Sequence, residues 1–169
     1  SSGITGLANE AITLDDTSLA VTVLNTLDGN TTGAVNAATV TTLTGAASAV
    51  ITAYDSSGIS GLGNEKLTLS GNTSVANANT LAADTTGVIT ATITETDATT
   101  LATLTETTNA YTITVGDTSV TAANLNTIDG ATTVAVTATA VTTITGAASA
   151  VNTAYASSGI NGLGNEAIT

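Results

Sequence analysis

One phrase occurs three times in this chain, and its spacing limits what the rest can fold into. Residues 1–13 read SSGITGLANEAIT, residues 56–68 read SSGISGLGNEKLT and residues 157–169 read SSGINGLGNEAIT. The copies start 55 and then 101 residues apart, which is tandem repetition with an uneven step, the mark of a stacked-repeat architecture. The sequence opens inside one copy and stops inside another, so it is expected to be a segment of a longer array, or one full cycle of it.

Short alternating runs fill the intervals. They begin near Ala11 (AITL), Ala34 (AVNAAT), Lys66 (KLTL), Val88 (VITATIT), Ala110 (AYTITV), Val134 (VAVTATA) and again at Ala167 (AIT), in steps of 23, 32, 22, 22, 24 and 33 residues. The two long steps contain SSGIxGLxNE. A basic coil of 22–24 residues with an occasional insertion therefore accounts for the whole chain, which reads as a single tandem-repeat segment, 1–169. The insertion is expected to bulge from one edge, as a tolerated loop or as a lateral contact between arrays.

Within the runs, Leu67 and Leu69 flank Thr68, and Ile89, Ala91 and Ile93 alternate with Thr90, Thr92 and Thr94. Tyr111, Ile113 and Val115 alternate with Thr112 and Thr114, and Val136, Ala138 and Ala140 with Thr137 and Thr139. Period two with β-branched residues predicts half-buried strands. Between them, TSLAVTVLNTLDG, TGAASAVITAY, DATTLATLT, TSVTAANLNTIDG and TGAASAVNTAY space their apolar residues by three and four, which predicts short helices. Asp16, Thr17, Thr44, Asp117, Thr118 and Thr145 are the expected helix caps, and Gly29, Gly58, Gly130 and Gly159 the expected helix ends. A strand, a helix and a return to the next parallel strand require a right-handed crossover. The expected fold is a right-handed α/β solenoid of about six such coils, with a parallel sheet along one side; an all-β solenoid is the alternative, because Thr-rich segments are poor helix formers.

Composition supports a thin-cored stack. The chain has no Phe, Trp, Met, Cys, His or Pro, only three Tyr, and roughly a quarter of it is Thr, far above ordinary usage. Small aliphatic side chains each bury little area, which suits an architecture whose units lean only on their neighbours. Thirteen acidic residues face one base, Lys66, for a net charge of −12. Such a polyanion has no cationic groove for nucleic acid and no attraction to anionic lipid, and no apolar run approaches the ~20 residues of a membrane span. Without His or Cys, the usual nucleophile–base pairs cannot be assembled, so the chain does not read as an enzyme and implies no cofactor.

Two groups of residues remain as candidate sites. Asp15, Asp16, Asp28, Asp117 and Asp129 are hard oxygen ligands in turns and are weak candidates for calcium, although neither the glycine-rich nonapeptide of calcium-binding β-rolls nor an EF-hand loop is present. Thr13, Thr68, Thr90, Thr92, Thr112, Thr114, Thr137 and Thr139 face away from the strand cores. Stacking is expected to set them in rows across one flat face, interrupted at the second coil by Asn36.

The stretches LNTLDGNTTG (24–33), VTTLTGAASAV (40–50), SSGISGLGNE (56–65), NAYTITVGDTSVTAANLNTIDG (109–130) and VTTITGAASAVNTAYASSGI (141–160) resemble the long Thr/Ala-rich arrays of giant secreted cell-surface proteins of marine cyanobacteria, a group that includes a surface protein tied to swimming. The resemblance covers essentially the whole chain. It implies an extracellular structural or adhesive array and supplies no catalytic residues. The expected function is a rigid extracellular spacer or filament-forming solenoid whose partners are neighbouring repeats, or copies of itself stacked head to tail. The alternative is an adhesive or ice-binding array that uses the Thr rows.

Overall fold

The computed structural model describes residues 8–169. Its elements recur in the order short strand, second strand, helix. The first set is β1 (Ile12–Thr13), β2 (Ser18–Ala20) and α1 (Val21–Asn30); the second is β3 (Val35–Asn36), β4 (Thr42–Gly45) and α2 (Ala47–Asp55); the third is β5 (Ile59–Ser60), β6 (Lys66–Thr73) and α3 (Val75–Asp84). The fourth shrinks to β7 (Ile89–Ile93) and one turn of helix, α4 (Ala98–Leu101). Then come β8 (Ala110–Thr112), β9 (Ser119–Thr121) and α5 (Ala122–Gly130), followed by β10 (Val136–Thr137), β11 (Thr143–Thr145) and α6 (Ala148–Ala156), and finally β12 (Ile160–Asn161) and β13 (Ala167–Ile168).

All strand pairings among the described residues are parallel, and outside the run β6–β7–β8 they join each strand to its counterpart in the neighbouring set. Ser18 faces Thr42, Thr42 faces Lys66, Ser119 faces Thr143 and Thr143 faces Ala167, each pair 24 residues apart. In the middle the step shortens, with Leu67 opposite Ile89 and Thr90 opposite Ala110. The long strand β6 absorbs the change: its register shifts between Thr68 and Asn72, where Gly71 takes φ +72°, a left-handed conformation that glycine adopts without steric cost. The chain is thus an α/β protein built on open parallel sheets.

Burial follows the alternation. Leu67, Leu69, Ile89, Ala91, Ile93, Tyr111, Ile113 and Val115 point inward and meet Leu24, Val50, Leu81, Leu101, Leu125, Ile128 and Val151 from the helices in one continuous core. Ala47, Ala78, Ala98 and Ala122 are buried on the helix side. Their small side chains let helix and sheet approach closely, so a thin aliphatic core still fills the space between layers.

Several expectations need correction. Lys66 is in register with Thr42 and Ala167 with Thr143, so both continue second strands, and the 22-residue step from Lys66 to Val88 appears on the other side of β6, where Leu67 pairs with Ile89. The phrase is no insertion. Its Ile59 and Ile160 sit on β5 and β12, paired with Val35 and Val136, and it forms part of an ordinary 24-residue repeat. The two long steps run from a first strand to a second one, from β3 to β6 and from β10 to β13. Strands β2 and β9 lie inside TSLAVTVLNTLDG and TSVTAANLNTIDG, and β4 and β11 run into the starts of TGAASAVITAY and TGAASAVNTAY, all segments expected as helix, and α3 has no counterpart among the expected helices.

The expected caps also fall elsewhere. Helix α1 starts from Ala20, α2 from Ala46 and α6 from Ala147, none with a side-chain cap, whereas α5 starts from Thr121, whose Oγ1 accepts from Asn124 N. Thr17 and Thr118 are engaged in the sheet: the carbonyl of Thr17 accepts from Thr41 and Thr42, and that of Thr118 from Thr142 and Thr143. Strand passes directly into helix, so the polar residues that look like caps stand one strand too early. Gly130 is the last residue of α5 and Gly29 the last but one of α1, as expected of helix ends, whereas Gly58 and Gly159 lie three residues beyond α2 and α6, and none of the four adopts positive φ.

Candidate functional site

The helices end on hydroxyls, and those hydroxyls join one repeat to the repeat before it. After α2, Ser56 Oγ accepts from the amide of Gly58 (3.1 Å) and donates to Asp28 Oδ2 (2.7 Å) at the end of α1. After α6, Ser157 does the same with Gly159 N (2.9 Å) and Asp129 Oδ2 (2.6 Å). A Cβ on Gly58 would run into the Asp28 carboxylate, and one on Gly159 into that of Asp129, so a side chain at the third position of SSG would push the latch carboxylate aside.

Threonine plays the same part after α1, α3 and α5. Thr31 Oγ1 donates to the Glu10 carbonyl (2.7 Å), Thr85 Oγ1 to that of Glu65 (2.8 Å) and Thr132 Oγ1 to that of Tyr111 (2.7 Å). The next residue donates its amide to the preceding repeat in turn: Thr32 to Ala8, Thr86 to Gly63 and Thr133 to Asn109. Each Thr-Thr pair therefore satisfies carbonyls that the parallel ladder leaves open at its margin. The pairs are visible in the sequence as TTG, TTG and TTV, but composition hides them among the many other threonines.

Inside the phrase sits a buried carboxylate. Glu65 has 0% exposure; its carboxylate accepts from Gly63 N (2.9 and 3.1 Å) and from the Tyr54 hydroxyl (2.7 Å). Glu166 repeats the arrangement with Gly164 N and the Tyr155 hydroxyl (2.5 Å). Burial, and then the hydrogen bond to Glu65, push the Tyr54 hydroxyl well above the usual tyrosine range. Burial alone would lift Glu166, but the Tyr155 hydroxyl and the amides around Gly164 outweigh it and hold the carboxyl below its usual value. Tyr111 is raised to about 12 by burial and by the charge of Glu106.

Other polar side chains also bridge repeats. Glu95 Oε2 accepts from Val75 N (3.0 Å) at the start of α3, and Asp117 Oδ2 from Ala98 N (2.6 Å) at the start of α4. Each caps the helix of the preceding repeat, supplying an acceptor to one of its free N-terminal amides. Asn25 donates to the Ala49 carbonyl (2.9 Å), Asn79 to that of Thr103 (2.8 Å) and Asn126 to that of Ala150 (3.0 Å), tying each helix to the next.

The candidate calcium ligands do not converge. Asp28, Asp117 and Asp129 are engaged by Ser56, Ala98 and Ser157, Asp15 and Asp16 are exposed between β1 and β2, and the described residues contain no group of three acidic side chains placed to hold an ion. The Thr residues form three short rows in place of one long ladder. Thr68 lies between Thr44 and Thr90, Thr92 beside Thr112, and Thr114 beside Thr137. Thr13 pairs with Asn36 in a separate ladder, and Thr139 lies beyond the end of β10. Thr68, Thr90, Thr92, Thr112 and Thr114 are exposed and Thr137 is half-buried.

What this arrangement does chemically is hold successive repeats in register. Ser56 and Ser157 use both proton and lone pair for that purpose, and the buried carboxylates are saturated by amide and phenol donors. No protein-family model, no curated protein and no solved structure matches this chain.

Proposed function

We propose that the chain is a right-handed solenoid segment that serves as a rigid extracellular spacer in a cell-surface array. The observation that carries this reading is the 24-residue parallel register shared by β2, β4 and β6 and again by β9, β11 and β13, because a chain that advances one rung per repeat extends by stacking. Strands sit about 4.8 Å apart, whereas packed helices need about 8–10 Å. The helical side is then the longer one, and the segment curves with its sheets on the inside. Extracellular placement is supported by the resemblance to secreted arrays and by Lys66, which leaves proteases that cut after Lys or Arg a single site. Small-angle scattering on the purified segment tests the shape: an arc-like elongated profile is expected, and a compact globular one removes the reading. Labelling intact cells with an antibody to the segment tests the location, with signal expected before permeabilisation.

A second reading is a surface-binding array, adhesive or ice-binding, favoured by the exposed neighbours Thr68 and Thr90 and by Thr92 and Thr112. A thermal-hysteresis assay decides the ice-binding form, and unaltered crystal growth removes it.

A further inference from the structure

We infer that the outer edge of β5 is a contact surface for a second copy of the chain, which lays its own β5 against it, antiparallel about a two-fold axis. The inference uses the strand order alone and goes beyond the spacer reading.

Strand β5 ends the ladder β1–β3–β5, although α3, α4, α5 and α6 all follow it in the chain. The reason is a sideways step at the phrase. By register, Leu67 is the third member of the second-strand ladder, opposite Leu43. By its surroundings it is also a first strand. Thr85 Oγ1 donates to the Glu65 carbonyl as Thr31 Oγ1 does to that of Glu10, and Ile89 faces Leu67 as Val35 faces Ile12. The repeat after α3 is therefore set over β6 and passes β5 by. Among the described residues, β5 pairs with β3 on one side and with no strand on the other.

Burial records the gap. Val35 and Ala37 have a rung on either side and are fully buried, as are Val136 and Ala138. Ile59 and Gly61 stand in the same places one rung on, where Ile59 is half-buried and Gly61 exposed. Val35 and Ala37 donate their amides to the carbonyls of Gly58 and Ser60. The corresponding amides of Ile59 and Gly61 have no strand to donate to.

The chemistry of the edge selects its partner. Residues 56–64, SSGISGLGN, carry neither charge nor proline, two of the features with which sheet proteins protect an open edge. The next residue, Glu65, is buried and held by its own donors. A charged partner finds no opposite charge there, whereas a second copy, despite its net charge of −12, sets no like charge against these residues. The second copy also offers what the edge lacks, a strand with open amides and carbonyls of its own. Antiparallel pairing of the two edges places Ser60 opposite Ser60 of the second copy. The same surface serves on both sides, so the contact closes on itself. A two-residue strand makes one such contact weak, but the phrase recurs along the chain, so contacts add up between arrays.

Oxidative cross-linking tests the inference, and the absence of Cys from the chain leaves single-cysteine variants with one thiol each. Ser60→Cys puts that thiol on the open edge. Asn36→Cys puts it on the same face one rung inward, where β1 and β5 cover both sides; both positions are exposed. Residues directly opposite each other in an antiparallel pair are within disulfide reach. With the segment at millimolar concentration, Ser60→Cys is expected to form a covalent dimer about tenfold faster than Asn36→Cys. Ile59→Asp, added to Ser60→Cys, sets like charges against each other across the contact and is expected to bring the rate down to that of Asn36→Cys, with circular dichroism showing the fold retained. Equal rates for the two single variants overturn the inference, and so does fast cross-linking that survives Ile59→Asp. Where Ile59→Asp disturbs the fold, the comparison of the single variants decides by itself. An elongated scattering profile from a segment that does not cross-link would leave the spacer reading standing, so the two fail separately.

Discussion

The phenolic hydroxyl of Tyr54 lies 2.7 Å from Oε2 of Glu65, a carboxylate with no exposed surface whose only other donor among the described residues is the amide of Gly63. Tyr54→Phe removes one of these two donors without opening the site to water. The expected cost is about 1–3 kcal/mol, read as a lower denaturation midpoint in urea. Tyr155→Phe, at the more open copy of the pair, is expected to cost less.

The same groups set the pH profile. Glu166 is held below its ordinary value in the folded state, so its stabilisation is present above the unfolded carboxylate pKa and disappears as pH falls through the folded one. Tyr54 and Tyr111 are raised; their contribution is intact below the usual tyrosine pKa and is lost as pH climbs past about 10. With no His and no Cys, no side chain ordinarily titrates from about pH 6 to 9. Melting temperature against pH should show a flat plateau there, with losses at both extremes, and Glu166→Gln should blunt the acid limb.

Two glycines 29 residues apart in sequence should respond to alanine in opposite directions. Gly29 lies in α1 at negative φ with nothing within 4 Å of an added Cβ, so Gly29→Ala should stabilise by about 0.5–1 kcal/mol. At Gly58 the same methyl runs into the Asp28 carboxylate and breaks the Ser56 latch, so Gly58→Ala should destabilise. Paired urea titrations compare the two.

Glu95 reaches across to the first amide of α3, so Glu95→Ala should cost about 1 kcal/mol, the usual loss for a helix cap. Asp16→Ala, at an exposed residue that caps no helix, should leave the midpoint unchanged. Equal effects from the two substitutions would contradict the cross-repeat cap.

Because the acidic residues do not converge, the thermal transition should be the same in EDTA and in millimolar calcium. A calcium-dependent rise well beyond that produced by matched magnesium would show a specific site.

Much of the strand layer is legible from order alone. Ile89-Thr-Ala-Thr-Ile93 can be read as half-buried because a two-residue period in β-branched residues has one structural meaning. Helices α1, α2, α5 and α6 are legible to within a few residues from their three–four apolar spacing. Helix α3 is not, because VANANTLAAD carries only Val75, Ala78 and Leu81 as buried residues, too sparse a stripe to stand out in a chain so rich in alanine. The latches are harder still: nothing local distinguishes Thr31, Thr85 and Thr132 from dozens of other threonines.

Periodicity along the chain was thus enough to point to parallel strands, short helices and a thin aliphatic core, with an all-β chain as the alternative, since alternation and repeat length are properties of neighbours in sequence. Which rung faces which was settled only in three dimensions. Register depends on hydrogen bonds between residues some 20–28 positions apart, and a chain with this little chemical variety offers many near-equivalent alignments. Tertiary packing alone chose the one that seats Glu65 under Tyr54, turns Asp28 toward Ser56, and makes an ordinary repeat of the phrase that looked like an insertion.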